Sequence, residues 1–207
     1  MEATKSTKDD LVTKVDKECQ EMVEACIRHT FPTHEFLGEE DVQPGSAASE
    51  QALEALIQKE WLWICDPIDG TTNFVHKRPA SVVSVAAAYM GQVVVGVIYD
   101  PYRDELFSAR SGQGAFLNGE PMHVSGEDSF AQALVGFGIG TKPTVRLPML
   151  RCVEEFSNQC RGIRVQGSAA LELAWVAVGR QTVGQSITTS HAGVGITELS
   201  RHFMNWI

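Results

Sequence analysis

The sequence predicts an α+β fold in which helices and strands come in runs, an order that favours packed layers over a strictly alternating doubly wound sheet. Three observations carry the prediction. Apolar residues recur at helical spacing near the N-terminus, at Val15, Cys19, Met22, Val23, Cys26 and Ile27. Residues 81–124 read as short strands punctuated by turn residues. Finally, 207 residues that are 43% hydrophobic and 21% charged can bury a sizeable core, as one large domain or two small subdomains.

Thr13 and Asp16 stand at capping-box spacing, so the first helix is predicted to run to about His29, with Phe31-Pro32 ending it. Residues 34–40 read as a short strand leading into a loop. Residues 41–49 are polar, carry Pro44 and Gly45, and are expected to form a mobile surface loop before a short helix over 50–59. Trp61-Leu62-Trp63-Ile64-Cys65 reads as a buried strand. Met90-Gly91 is a hairpin signal joining 81–89 to 92–99. Ser111-Gly112-Gln113-Gly114 turns 105–110 into 115–117, and Asn118-Gly119 makes another turn before Met122-His123-Val124. A further strand is expected over 133–137, a helix over 145–158, and a second helix over 167–178 with Leu171, Trp175 and Val178 on one side. After Gly179 periodicity fades: 181–196 is rich in Gly, Ser and Thr, and 197–207 reads as a weak helix or a frayed tail.

The net charge of −9 argues against nucleic acid or an anionic membrane as a partner. Five cysteines (Cys19, Cys26, Cys65, Cys152 and Cys160) include no C-x-x-C pair, which argues against zinc and for reduced thiols in an intracellular, cytoplasmic protein. Cys19 and Cys26 fall on the apolar face of the first helix and are expected to pack into the core. No run resembles a transmembrane span or a secretory signal.

The stretch Asp66-Pro67-Ile68-Asp69-Gly70-Thr71-Thr72-Asn73-Phe74 concentrates the chemistry. Two carboxylates stand three positions apart around a proline that restricts both itself and Asp66, where a strand gives way to a turn. Gly70 permits a sharp bend, and Thr71 or Thr72 could cap a following helix. Carboxylates suit hard divalent cations and a helix N-terminus suits phosphate, so the pattern describes a site for a metal-bound phosphate ester. Glu39 follows Gly38 at a strand end just as Asp66 follows the Trp61 strand. If the two strands are neighbours, Glu39, Asp66 and Asp69 meet in one pocket. The Ile68 carbonyl could complete an oxygen-only set, which favours Mg2+ over zinc. The alternative makes Glu39 and Glu40 a charged loop edge. The six histidines are scattered, and surface or structural roles suit them.

This string, its Asn73-Phe74-Val75-His76 continuation and the preceding Gly38-Glu39-Glu40 element resemble the metal-binding signature of the inositol monophosphatase family. The resemblance covers about residues 5–179. It implies a layered αβαβα sandwich of the sugar-phosphatase type and a lithium-sensitive, Mg2+-dependent phosphomonoesterase. Glu39, Asp66, the Ile68 carbonyl and Asp69 are implied as metal ligands. Glu39 and Thr71 are implied to activate the attacking water. Asp69 and the Gly70 and Thr71 main chain are implied at the phosphate and substrate, and Gly167, Ser168 and Ala169 match the element that lies at the inositol ring. Lys5 and Asp16 are implied in a metal–water network. The expected partner is a small phosphate ester, with a homodimer as the assembly.

Two parts of the family pattern are missing from this sequence: an additional N-terminal helix, and a later Trp-Asp-x-Ala-Ala-Gly-like element with a Glu just ahead of it. In 181–207 the only acid is Glu198. The sandwich is therefore expected to be incomplete at both ends, with residues 1–180 as a partial domain and 181–207 as a divergent, poorly packed tail. Three functions compete: hydrolysis of inositol monophosphate; hydrolysis of another small ester such as a sugar phosphate, histidinol phosphate or an adenosine bisphosphate; and a catalytically inactive, metal-binding or dimerising fragment.

Overall fold

Residues 3–4, 11–12, 14–42, 46–139 and 143–186 are described in the computed structural model. β1 (Ala3–Thr4) pairs antiparallel with β2 (Leu11–Val12) ahead of helix α1 (Lys14–Thr30). The buried stripe of α1 is Asp16, Gln20 and Ile27, with Val23 half-buried, whereas Val15, Met22 and Cys26 are exposed. This corrects the expected apolar face and the core role given to Cys26. The inward stripe is polar at its first two positions because that end of α1 lies over an acidic turn, not over aliphatic core. Thr13, half of the expected capping box, lies outside the described residues.

Strand β3 (Glu35–Gly38) runs into a 3-10 turn, Glu39–Asp41. Helix α2 (Ser46–Leu56) then begins inside the segment expected to be a loop, and earlier than the predicted 50–59 helix. β4 (Trp61–Asp69) does not stop at Cys65; it continues through Pro67, with a register shift between Asp66 and Asp69. α3 (Thr71–Val75) follows. β5 (Val82–Tyr89) and β6 (Gln92–Asp100) form the predicted hairpin, with positive φ at Met90 and Gly91. β7 (Glu105–Arg110), β8 (Gly114–Leu117) and β9 (Glu120–Pro121) continue the meander, the last lying just ahead of the expected Met122-His123-Val124. These form a seven-stranded sheet in the order β3-β4-β5-β6-β7-β8-β9, antiparallel except for the parallel β3–β4 pair.

A second sheet is built from β10 (Leu134–Gly138), β11 (Gly162–Arg164) and β12 (Val183–Ser186), both neighbours parallel to central β10, with α4 (Pro143–Ser157) and α5 (Ala169–Ala177) in the connections. Strand alternation sorts the layers. Trp63, Cys65 and Val85 face Ile27 and Val23 of α1. The opposite face presents Leu62, Ile64 and Ala86 to Leu53 and Leu56 of α2. The same face presents Val82 and Ile98, with Phe107 and Ala109, to Ala170, Leu171, Ala174 and Ala177 of α5. On its other side α5 meets the second sheet, where Val176 abuts Gly184. Val135 and Phe137 point away from α5, toward Met149, Val153 and Phe156 of α4. The order α1, large sheet, α5 with α2, small sheet, α4 is an αβαβα sandwich.

The boundary expected at residue 180 does not mark the end of packing. Gln181 is 2% exposed and Val183–Ser186 pairs with β10. Residues 187–207 lie outside the described residues.

Candidate active site at the ends of two parallel strands

β3 and β4 are parallel neighbours in the register Gly38↔Cys65, so the residue after each, Glu39 and Asp66, falls at the same end of the sheet. A Cβ at Gly38 would overlap the end of the Gln20 side chain, whose Oε1 accepts a 2.9 Å hydrogen bond from the Glu40 main-chain N–H, so a larger residue would have to displace Gln20. Gln20 thus fastens the acidic turn to α1. At the end of β4, Gly70 has φ +91° and caps α3, and its α-carbon faces Gly167 and Ser168.

The Asp66 carboxyl is 4% exposed. Burial, followed by the neighbouring Glu39 and Asp69 charges, pushes its pKa well above the usual carboxylate range. The Glu39 carboxyl stands beside it, and its Oδ1 accepts the Ile68 N–H at 3.0 Å. Asp69 turns toward α5: its Oδ2 accepts from Ser168 Oγ at 2.5 Å and from the Ala170 N–H at 2.7 Å, and the Ala169 N–H also points at it. Burial raises the Asp69 pKa and these donors oppose the rise. The Ile68 carbonyl accepts from Thr71 Oγ1 at 3.1 Å.

Glu39 and Asp66 are therefore in contact, Asp69 is within electrostatic reach of Asp66, and Gly70, Thr71, Gly167, Ser168 and Ala169 surround this group. Asp16 is 2% exposed and lies one turn from Gln20 on α1. Lys5 lies outside the described residues. Among the described residues no three His, Cys, Asp or Glu side chains form a ready-made cation cage, and Asp69 bonds instead to the start of α5. The donor chemistry nevertheless fits a hard divalent cation. All donors are oxygens, and burial that raises the Asp66 carboxyl beside Glu39 is a cost that a bound cation would offset.

Several contributors were not singled out from sequence, namely Gln20, Arg78, Gln166 and Glu172, and Asn73 lies in the motif without a role assigned from sequence. Asn73 Nδ2 donates to Ala80 O at 2.7 Å and Gln166 O at 2.8 Å, tying α3 to the loop before α5. Gln20 stands four residues after Asp16, and Glu172 is the lone acid in an otherwise apolar helix; both spacings were available signals.

A layered αβαβα protein with a buried oxygen-donor cluster at parallel strand ends is the class that fold and site define. The inositol monophosphatase family model matches residues 1–191, and the chain belongs to that family. It is 41% identical over 174 residues to inositol monophosphatase 1 of Solanum lycopersicum, an alignment covering 83% of this chain and 61% of that protein. The chain thus spans about three-fifths of the length of that relative. Among solved structures it resembles a staphylococcal inositol monophosphatase-1 in a LiCl-soaked inhibitory complex, with TM-score 0.80, 26% identity, and coverage of 98% and 71% of the two chains. It also resembles an IMPase/NADP phosphatase complexed with Mg2+ and phosphate, with TM-score 0.78, 27% identity, and coverage of 98% and 72%.

Proposed function

We propose that the protein is a Mg2+-dependent phosphomonoesterase that releases phosphate from inositol monophosphate. The observation that carries this reading is the meeting of Glu39 and Asp66 at parallel strand ends, with Asp69 beside them. Glu39, Asp66, the Ile68 carbonyl and Asp69 would hold the cation, which when bound supplies positive charge to the phosphate and makes a coordinated water more acidic. Glu39, a carboxylate beside Asp66 at the strand ends, is suited to take a proton from the attacking water. Thr71, fixed to the Ile68 carbonyl through its hydroxyl, keeps the start of α3 in register with the acids. The first-turn N–H groups of α3 lack intrahelical acceptors by geometry and suit phosphate oxygens. Gly167, Ser168 and Ala169 would border the sugar. Free thiols at all five cysteines agree with a cytoplasmic setting, and a homodimer is the proposed assembly.

A second reading, a different small phosphate ester, is favoured by the likeness to a structure described as an IMPase/NADP phosphatase. The Asn73-Phe74-Val75-His76 continuation favours inositol. Phosphate release from inositol 1-phosphate, histidinol phosphate and adenosine 3′,5′-bisphosphate, each with Mg2+, with added Li+ and with chelator, tests the proposal. Mg2+-dependent, Li+-inhibited turnover fastest on inositol 1-phosphate is expected. Preference for another ester would transfer the assignment to it, and no turnover of any would leave the inactive, metal-binding fragment.

A further inference from the structure

Glu172 lies one layer behind the acids, 2% exposed and on the α5 side of the loop that carries Ser168. Its Oε1 accepts the Gln166 N–H at 2.6 Å, and the Gly167 N–H lies close to the same carboxyl. Gln166 is gripped from the other side through its carbonyl, which accepts from Arg78 at 2.7 Å and Asn73 at 2.8 Å. The main chain of this one residue is thus held by a buried carboxyl at its N–H and by a cation and an amide at its carbonyl. The next two residues complete the link: Ser168 Oγ bonds Asp69, and its own main chain starts α5. Resting on the reading that Asp69 belongs to the hydrolytic site, we propose that Glu172 is a positioning residue, clamping Gln166 and Gly167 so that Ser168 and the first N–H groups of α5 hold Asp69 in place.

A purely packing role for Glu172 would be satisfied by any side chain that fills the space. The clamp instead needs an acceptor of the right reach. Glutamine keeps the acceptor, aspartate is one methylene short, and alanine removes it. Amide hydrogen exchange in the full chain reads the clamp directly, and the informative amide is Ala170, which Glu172 does not touch but which bonds Asp69.

In Glu172→Ala, protection at Gln166, Gly167 and Ala170 is expected to fall about tenfold or more relative to core amides of β5 and β6. Glu172→Gln is expected to keep it. If Glu172→Ala does not fold, Glu172→Asp makes the same comparison. Unchanged Ala170 protection in the alanine or aspartate variant, or a loss in Glu172→Gln as large as in those variants, overturns the clamp. A parallel Mg2+ titration separates the two claims. Loss of the clamp in a chain with no Mg2+-dependent phosphatase activity would defeat the proposed function while leaving the positioning role standing. An active chain whose Ala170 protection ignores residue 172 would do the reverse.

Discussion

Asp66 and Asp69 are three residues apart yet are held in opposite ways. Asp66 faces another carboxyl and accepts one main-chain N–H, so its charge is poorly compensated. Asp69 accepts from Ser168 and Ala170 at the start of α5, which offsets part of the rise that burial gives its pKa. Asp69→Asn should therefore abolish Mg2+-dependent turnover without lowering stability, because burial outweighs these donors and disfavours the charge. Thermal unfolding of the variant checks the second part; a lowered Tm would contradict it. Gly38→Ala should destabilise by about 1–3 kcal/mol, since its Cβ would overlap Gln20. Adding Gln20→Ala should recover part of that loss in a double-mutant cycle, and strict additivity would contradict the contact. At this scale the sequence was informative about the acids and their order. It was silent on Gln20 and Glu172, because a lone buried polar side chain carries no pattern until the element it touches is known.

At the scale of elements, the hairpins were legible because Met90-Gly91 and Asn118-Gly119 demand positive φ, and the chain adopts it at all four residues. β11 and β12 were not, since three- and four-residue parallel strands without an alternating pattern look like loop. The face of α1 was misread because its inward stripe is partly polar. α5 shows a similar burial of polar groups. Burial, with the Asp69 charge adding, raises the Glu172 carboxyl from 4.5 to about 7, against the Gln166 and Gly167 N–H groups and Arg78. A carboxyl raised by folding contributes its full stability below the unfolded value and loses it as pH climbs through the folded one. Relative to Glu172→Gln, the wild type should therefore lose about 3 kcal/mol between pH 4.5 and 7. Urea midpoints of the two proteins across that range measure this, and parallel profiles would contradict it. Just beyond α5, the Gln181 amide is buried with neither Oε1 nor Nε2 paired among the described residues. Gln181→Leu should raise stability by about 1–3 kcal/mol by removing those unsatisfied groups; a lower urea midpoint would show that the amide has a partner.

At the scale of the molecule, the layering follows from α5 lying between two sheets, with its small residues, Ala170, Ala174 and Ala177, against the larger one. The layered class was legible from runs of like elements. The second sheet was not, because its strands are joined only through helices and meet in space rather than in sequence. The site sits where the two halves touch: β3 and β4 supply Glu39, Asp66 and Asp69, and the loop before α5 supplies Gly167 and Ser168. Phosphate release from inositol 1-phosphate by the 207-residue chain and its Asp66→Asn variant, each with Mg2+ and with chelator, tests the acidic cluster most directly. Release by the wild type that needs Mg2+ and disappears in Asp66→Asn is the predicted result. Release that survives chelation, or that Asp66→Asn leaves intact, would contradict it.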